Sequence, residues 1–275
     1  MGGIALKTEA HAGTVLDRIL EARRVSVDKR RRLHPLPVLR LAVKQASPPR
    51  DFLASLRRSG FNIIAELKKA SPSCGVLRSD FDAKSLGVAL VGAGAAALSV
   101  LTEEDFFQGS LANLRVTRAA VEVPVLRKDF IFDAWQVWEA RSVNADSFLL
   151  IAAILSDAEL AELLAAGREL GMEPLVEVHT REELQRALRA GARIIGVNNR
   201  DLRTFDVHLQ TSFDLSQEIP RDCVAVSESG LRTASDLARL RDAGFSAFLI
   251  GESLMQAREP AAALRALLAA LQATG

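Results

Sequence analysis

The sequence predicts an α/β protein whose strands close into a (β/α)8 TIM barrel, preceded by an N-terminal helical extension. Eight short apolar runs alternate with longer segments in which apolar residues recur three and four positions apart, the spacing of an amphipathic helix. Strands that are buried on both faces and separated by helices form parallel sheets. Eight such units within roughly 250 residues match the usual size of a closed barrel.

The apolar runs define the predicted strands, because each run is aliphatic or β-branched and is followed by a turn. The predicted strands cover residues 63–67, 96–101, 123–127, 147–151, 174–178, 193–197, 224–227 and 247–250. An open, doubly wound sheet is the alternative. Its dinucleotide-binding form needs a GxGxxG turn after a strand, whereas the glycines of "GAGAAALSVL" precede one.

Two of the segments between strands carry clear helix boundaries. "DAELAELLAAGRELG" and "TREELQRALRAGA" have helical spacing. Thr180 is a predicted N-cap with Glu183 three residues later, and Gly171 and Gly191 stand where the helices should end.

Residues 1–60 have a different pattern and form the predicted N-terminal extension. We expect this extension to cap one end of the barrel, which residues 61–275 form. The two parts together make a single predicted domain. "TVLDRILEARRVSVDKRRRL" has helical periodicity, "HPLPV" breaks it, and "PRDFLASLRRSG" predicts a short helix that ends at Gly60. The basic cluster 29–32 could indicate a nucleic-acid site. A solvated helix face balanced by Asp17, Glu21 and Asp28 is the preferred interpretation, because interleaved aromatic residues are missing.

Composition excludes several classes of protein. Lys plus Arg total 35 against 34 for Asp plus Glu, so no overall field attracts nucleic acid or an anionic membrane. "MGGIALKTEAHAG" lacks the apolar stretch of a secretory signal, and no apolar run reaches the ~20 residues of a membrane helix. Cys74 and Cys223 lie far apart and predict free thiols in a reducing compartment. We therefore expect a cytoplasmic protein. We also expect a monomer or weak dimer.

Charged residues at the end of the first predicted strand point to a site. Glu66 and Lys68 are two apart, so they face the same way, and the C-terminal ends of barrel strands carry the active site. A surface pair on a strand is the alternative, but a parallel barrel strand has no solvated face.

Other predicted strands end in the same manner. The third ends in Arg127, Lys128 and Asp129, the fifth in Glu177 and His179, and the sixth in Asn198 and Arg200. "SESG" at 227–230 and "IGES" at 250–253 place Gly and Ser where a strand turns into a helix. Backbone N–H groups at such turns bind anions, and this part of a barrel is the usual phosphate site.

Several of these motifs together resemble one known family. "IIAELKKASPS", "GAAALSVLTEEDFFQGS", "VPVLRKDFI", "LVEVHT", "IGVNNRDL", "SESG" and "LIGESLM" follow the order of indole-3-glycerol phosphate synthases, across nearly the whole chain. The resemblance implies ring closure of 1-(2-carboxyphenylamino)-1-deoxyribulose 5-phosphate with loss of CO2 and water, in tryptophan biosynthesis. It implies a phosphorylated small-molecule substrate and neither a cofactor nor a metal.

The resemblance also implies roles for individual residues. Lys128 would be the general acid and Glu177 the carboxylate that handles protons, with Lys68 near the substrate carboxylate. Glu66 would orient the lysines, and Asn198 would bind substrate hydroxyls or the carboxylate. The division of proton transfers between the two lysines stays open, and so does the direction in which the pKa of Glu177 is shifted.

The remaining site residues bind substrate by the same resemblance, and they are Ser71, Phe107, Phe130, Arg200, Ser229, Gly230, Gly251 and Glu252. The two Phe rings would surround the anthranilate ring, and the glycines, Glu252 and Ser71 would hold the phosphate. Two positions depart from the family pattern. Cys74 stands where a basic residue is common, and Glu103 stands where Asp is common.

Three other functions compete with this interpretation. Phosphoribosylanthranilate isomerase shares the barrel but resembles a Cys and Asp acid/base pair, whereas Glu66 and Lys68 occupy that place here. A metal lyase could use Glu177 and His179, but the other histidines, His11, His34 and His208, lie in no ligand motif. A catalytically silent phosphate-binding module should have lost Lys128 or Glu177, and both are present.

Overall fold

The computed structural model describes residues 13–202 and 204–273 of the chain. His11 and the segment used to predict the absence of a secretory signal therefore lie outside the described part, apart from Gly13. The elements given below belong to the described part. In it, the strands are β1 Asn62–Leu67, β2 Ala70–Ser71, β3 Gly75–Val76, β4 Ala97–Leu101, β5 Val125–Lys128, β6 Ser147–Ile151, β7 Leu175–Val178, β8 Ile194–Asn198, β9 Val224–Glu228 and β10 Ala247–Ile250.

Eight of these strands close into a parallel barrel in the order β1-β10-β9-β8-β7-β6-β5-β4. The predicted (β/α)8 barrel is thus confirmed, and the open sheet is wrong because β1 pairs with both β4 and β10. The register is regular, with Glu177 beside Gly196 and Asn198 beside Glu228. Inward-facing residues of neighbouring strands consequently meet in layers.

Helices separate the barrel strands as the periodicity predicts. They are α1 Val15–Leu33, α2 Leu36–Gln45, α3 Phe52–Ser55, α4 Ala83–Gly92, α5 Leu111–Ala120, α6 Ala134–Ser142, α7 Asp157–Glu169, α8 Arg181–Arg189, α9 Gln210–Ser216, α10 Ala234–Asp242, α11 Glu252–Gln256 and α12 Pro260–Ala273, with a 3-10 turn at Ala152–Ile154. No helix within the described ranges is long and apolar enough to cross a membrane.

The predicted helix boundaries follow from local chemistry. The Thr180 side chain accepts a hydrogen bond from the Glu183 N–H, which caps α8. Gly171 and Gly191 follow α7 and α8 with φ of 75° and 85°. A side chain at such angles is strained, so glycine ends each helix at little cost.

Two apolar layers hold the barrel together. An outer layer lies between strands and helices and includes Ile63, Val176 and Ile195. An inner layer, with Ile64 and Leu175 among its residues, fills the barrel interior. Alternation along each strand sends successive side chains to opposite layers, and this leaves the last inward positions for the polar groups of the mouth.

The N-terminal segment contacts the barrel at both ends. Phe52 of α3 and the following Leu56 join the inner apolar layer, and Asn62 at the start of β1 donates to the Leu56 carbonyl. At the opposite end Ile19 of α1 joins the same layer. The division of the chain into residues 1–60 and 61–275 stays a prediction.

One detail of the predicted extension is wrong, and one of its helices was not predicted. The short helix ends at Ser55, with Leu56 as its C-cap, and Gly60 lies in the turn that follows. A second helix, α2, begins at Leu36 within the proline-rich stretch, because Pro35 is its N-cap and a further proline fits its first turn. The predicted break is confirmed, because α1 ends at Leu33, and the proline-rich stretch separates α1 from α2.

The basic cluster 29–32 is balanced by residues outside α1 rather than by the acids of its own helix. Arg30 pairs with Glu139 of α6 at 2.9 Å, and Arg31 pairs with Asp133. Asp17 instead caps α1 through Thr14. The predicted solvated face is wrong for Arg30, whose side chain is 15% exposed, whereas Lys29, Arg31 and Arg32 are exposed as predicted.

Candidate active site

A cavity of about 630 Å3 opens at the C-terminal ends of the barrel strands. All the predicted site residues line it, namely Glu66, Lys68, Ser71, Phe107, Lys128, Phe130, Glu177, Asn198, Arg200, Ser229, Gly230, Gly251 and Glu252. The structure therefore brings together residues that are up to 186 positions apart in the sequence, from Glu66 to Glu252. Their individual roles stay predictions.

Three charged side chains from separate strands meet at the floor of the cavity. Lys128 Nζ from β5 lies 3.2 Å from Glu177 Oε2 of β7 and 3.8 Å from Glu228 Oε2 of β9. All three sit on inward positions near the strand ends, and both carboxylates are almost fully buried. An ammonium and two carboxyl groups within contact distance can donate and accept protons at one reacting molecule.

Burial and neighbouring charges compete in setting the pKa values of these groups. Burial lowers the pKa of Lys128, but Glu177, Glu228 and Glu66 outweigh it and raise that pKa. Burial raises the pKa of Glu177, but Lys128, His179 and Asn198 outweigh it and lower that pKa. The structure thus gives the shift that the sequence left open: Glu177 is a carboxylate and Lys128 an ammonium at neutral pH.

Glu228 is a member of this cluster that sequence reasoning missed. Burial, followed by the charge of Glu177, raises the pKa of Glu228 to about 8. Its Oε1 is buried without a hydrogen-bond partner in the described part of the chain. The motif "SESG" contains the pattern that identifies Glu228. Glu228 is two residues after Val226, so both side chains face the barrel interior. The interpretation of this motif used only the neighbouring Ser and Gly.

Glu66 and Lys68 form a second pair at the mouth. Lys68 Nζ lies 2.9 Å from Glu66 Oε1. Burial raises the pKa of Glu66, but Lys68 and Lys128 outweigh it and lower that pKa. A Cβ on Gly251 would lie 2.4 Å from Glu66 Oε1, so the glycine is required for the carboxylate to occupy this position.

The two neighbours of Lys128 at this strand end point differently from Lys128. Arg127 does not line the cavity, and Asp129 lines it although its carboxylate is buried and paired with arginines. Arg127 is completely buried beneath α6, 2.9 Å from Glu139 and 3.0 Å from Asp129. Asp129 also pairs with Arg23 of α1 at 2.5 Å. Strand alternation is the reason, because neighbours of an inward residue point outward.

An apolar wall stands opposite the charged floor. The rings of Phe107 and Phe130 are 6.1 Å apart, and Leu16 and Ile19 of α1 complete the wall. The buried Glu103 carboxylate accepts backbone N–H groups of residues 105, 106 and 107 and so fixes the turn that carries Phe107. Glu103 therefore has a local structural function, and an aromatic ring would fit between wall and floor.

The rim near β9 and β10 offers backbone donors. Ser229 and Gly230 have φ of 65° and 75°, and α11 begins at Glu252, where the first N–H groups lack partners within the helix. Arg200 lies 3.0 Å from the Glu252 carboxylate and holds the two loops together. This rim can receive an anion.

The segment after β1 forms the remaining side of the rim. It contains the short antiparallel pair of β2 and β3, which the sequence did not predict. The Cys74 N–H donates to the Ser71 carbonyl and hydroxyl, and the Cys74 side chain is exposed. Both cysteines are free thiols in the described structure, as predicted.

No group of three or more potential metal ligands occurs in the described residues. His179 and Glu177 do contact each other, with Nε2 3.4 Å from Oε1. The nearest further carboxylate, Glu183, contacts the other ring nitrogen, so the three groups form a chain rather than a chelate.

Similar solved structures share the barrel. A 3-hexulose-6-phosphate synthase from Salmonella typhimurium has a TM-score of 0.63 at 12% identity, covering 78% of this chain and all of that one. KGPDC from Streptococcus mutans has a TM-score of 0.60 at 17% identity, covering 77% and 97%. Such low identities show the fold alone. Fold and site together define a (β/α)8-barrel protein with a charged, enzyme-like mouth.

Sequence relatives specify the family. The model of the family "Indole-3-glycerol phosphate synthase" matches residues 16–267. Relatives with that name include one from Acidithiobacillus ferrooxidans, 46% identical over 92% of this chain and 98% of its own length, and one from Variovorax paradoxus, 47% identical over 92% and 98%. The chain therefore belongs to the indole-3-glycerol phosphate synthase family, carboxy-lyases of tryptophan biosynthesis, and the predicted resemblance is confirmed. The isomerase alternative is wrong.

Proposed function

We propose that the cavity binds 1-(2-carboxyphenylamino)-1-deoxyribulose 5-phosphate and converts it to indole-3-glycerol phosphate through Lys128 and Glu177. The observation that carries this proposal is the contact of 3.2 Å between Lys128 Nζ and Glu177 Oε2 at the floor of one cavity. It supplies a protonated acid and an ionised carboxylate side by side, and the reaction needs both.

Lys128 donates its proton to the C2 carbonyl oxygen of the ribulose chain as the anthranilate ring carbon attacks that carbon. CO2 then leaves from the same ring carbon, and the electron pair of the broken bond restores the aromaticity of the benzene ring. The former carbonyl oxygen, now a hydroxyl, takes a second proton from one of the two lysines, Lys128 or Lys68, and departs as water. Glu177 accepts the proton that the C1 methylene of the former ribulose chain loses as water departs and the five-membered ring becomes aromatic. The lowered pKa of Glu177 and the raised pKa of Lys128 support this division, because each group rests in the form that its step requires.

The remaining residues position the substrate. The anthranilate ring packs against Phe107 and Phe130, Lys68 pairs with its carboxylate, and Asn198 binds the ribulose hydroxyls. The phosphate lies at the opposite rim, on the N–H groups of Gly230, Gly251 and Glu252 together with the Ser71 hydroxyl; Arg200 and Ser229 flank this rim. The separation of an apolar wall, a charged floor and an N–H-rich rim supports this orientation.

The side chains named above supply every proton that moves, so the proposed reaction uses neither a metal nor an organic cofactor. Activity should persist after dialysis against EDTA. We further propose that the protein acts in the cytoplasm, without nucleic-acid or membrane partners, as a monomer or weak dimer. Sedimentation equilibrium measures the last point, and a stable higher oligomer would contradict it.

The direct experiment supplies the substrate and follows the fluorescence of the indole product. Lys128→Met should lower kcat by about a thousand-fold or more, since it removes the acid. Lys84→Met changes an exposed lysine of α4 in the same way and serves as the control. Wild-type protein that binds the substrate without turning it over would instead support the silent-module alternative.

A further inference from the structure

The proposed reaction gives no function to His179, an ionisable side chain beside the mouth. His179 is two residues after Glu177, so its side chain turns to the same side of β7, and only 13% of that side chain is exposed. Because transfer of a charged or polar side chain out of water is unfavourable, a ring buried to this extent requires compensating contacts.

The contacts of His179 are two carboxylates on opposite sides of its ring. Nε2 lies 3.4 Å from Glu177 Oε1, and Nδ1 lies 3.2 Å from Glu183 Oε2. The same Glu183 oxygen accepts the backbone N–H of His179 at 2.7 Å. Glu183 stands in the first turn of α8, whose N-cap is Thr180, so the orientation of the ring is tied to the helix.

The two oxygens of Glu177 consequently face different cations. Oε2 contacts Lys128 Nζ at 3.2 Å, and Oε1 faces the His179 ring. His179 Nε2 is buried and forms no well-aligned hydrogen bond within the described structure, so its interaction with Oε1 is electrostatic. A carboxylate held between two fixed charges has little freedom to rotate.

We propose that His179 is a positioning residue for Glu177: its imidazolium, anchored by Glu183, holds Oε1 and thereby directs Oε2 toward Lys128 and the substrate. The inference rests on the proposed role of Glu177. It assigns no proton transfer to His179, which acts only through the orientation and charge of its neighbour.

The charges around the His179 ring determine how its positioning of Glu177 depends on pH. Burial lowers the pKa of His179, but the hydrogen bond to Glu183 and the charges of Glu177, Glu183 and Glu228 outweigh it and raise that pKa. Lys128 lies beyond Glu177 and pairs with both Glu177 and Glu228. Loss of the His179 proton removes the positive charge beside Oε1, so turnover falls as pH rises through the raised pKa.

The test compares two replacements of His179 in the full chain. His179→Ala removes both charge and contact and should lower kcat by about ten- to a hundred-fold, with KM changed by less than about threefold. His179→Gln retains a neutral N–H donor of similar reach. It should recover part of the lost kcat at neutral pH but lose the decline in kcat with rising pH that His179 contributes.

A matched pair of changes on α8 tests the anchor. Glu183→Gln removes the charge beside Nδ1 and should move the decline in kcat to lower pH. Glu182→Gln removes an exposed charge from the same helical turn, one residue away, and should leave the profile unchanged. A structural role for Glu183 in α8 would lower stability without moving the pH profile.

NMR titration of the His179 imidazole separates this inference from the proposed function, because it needs no substrate. The ring should titrate above the ordinary value of about 6.5 and at lower pH in Glu183→Gln and in Glu177→Gln. A His179 that titrates at or below the ordinary value, or a pH–kcat profile identical in wild type and His179→Gln, overturns the inference. Failure of the wild-type protein to turn over substrate overturns the proposed function alone, and the titration then still decides the geometry.

Discussion

Two clusters of buried charge meet on strand β5, and they differ in how completely their charges are paired. The inward cluster contains Lys128, Glu177 and Glu228, and the outward cluster contains Arg127 and Asp129 with their partners on α1 and α6. In the outward cluster Arg127 donates to Asp129, to Glu139 and to the Gln136 carbonyl.

The difference in pairing changes the protonation behaviour of the two clusters. Burial raises the pKa of Asp129, but Arg23 and Arg127 outweigh it and keep that pKa below its usual value. Glu228 in the inward cluster has one unpartnered oxygen within the described structure and a pKa raised to about 8. In the outward cluster two arginines face two carboxylates, and this balance stabilises the fold. In the inward cluster one ammonium faces two carboxylates, so one carboxyl group keeps a proton that can move at neutral pH.

Glu177→Gln should have the largest effect on activity. We expect kcat to fall by about a hundred- to ten-thousand-fold, because the proton acceptor is lost. The free energy of unfolding should change less than in Arg127→Met, because Lys128 keeps Glu228 as a partner and Glu228 no longer faces the charge of Glu177. Steady-state kinetics and urea denaturation measure the two quantities. A kcat within a few-fold of wild type would assign the acceptor role to another group.

Arg127→Met should mainly affect stability. It leaves the buried carboxylates of Asp129 and Glu139 without their shared cation, and removal of one partner from a buried ion pair costs about 3–5 kcal/mol. Urea denaturation measures the loss. An unchanged free energy of unfolding would show that the outward cluster does not stabilise the fold.

Glu228→Gln should change how stability depends on pH. The folded protein retains a proton on Glu228 that the unfolded chain releases between about pH 4.5 and 8, so this group makes the free energy of unfolding fall as pH rises through that range. Gln cannot ionise, and the variant should lose this decline. Denaturation at several pH values measures it, with Glu162→Gln on the exposed face of α7 as the control. Equal slopes in Glu228→Gln and wild type would contradict the raised pKa.

Thr102→Val should have the smallest effect. The Thr102 hydroxyl donates to Asp129 and accepts from Arg127, and valine has the same shape without the hydroxyl. We expect a loss of about 1–3 kcal/mol in the free energy of unfolding and a kcat within about twofold of wild type. A large decrease in kcat at full stability would connect the outward cluster to catalysis and remove the distinction between the two clusters.

The candidate site was accessible to sequence reasoning because charged residues at inward positions near the ends of barrel strands lie at the mouth, where a site forms. Glu66, Lys128, Glu177 and Asn198 could be found from strand ends alone. Glu228 was missed because its neighbours Ser229 and Gly230 match a phosphate-binding turn, so the motif was interpreted as a loop and not as the end of a strand. Arg127 stands next to Lys128 at the same strand end, but strand alternation turns its side chain away from the cavity.

The order of strands and helices, and hence the barrel, was determined by the sequence itself, since hydrophobic periodicity is a local property that each segment carries alone. The family was determined in the same way, by motifs at the strand ends. Only the tertiary structure decided the contact of His179 with Glu177 and Glu183, the pairing of Arg23 with Asp129 across 106 positions, and the sign of each pKa shift. These quantities depend on burial and on distances between charges from separate segments, and neither exists until the barrel has closed.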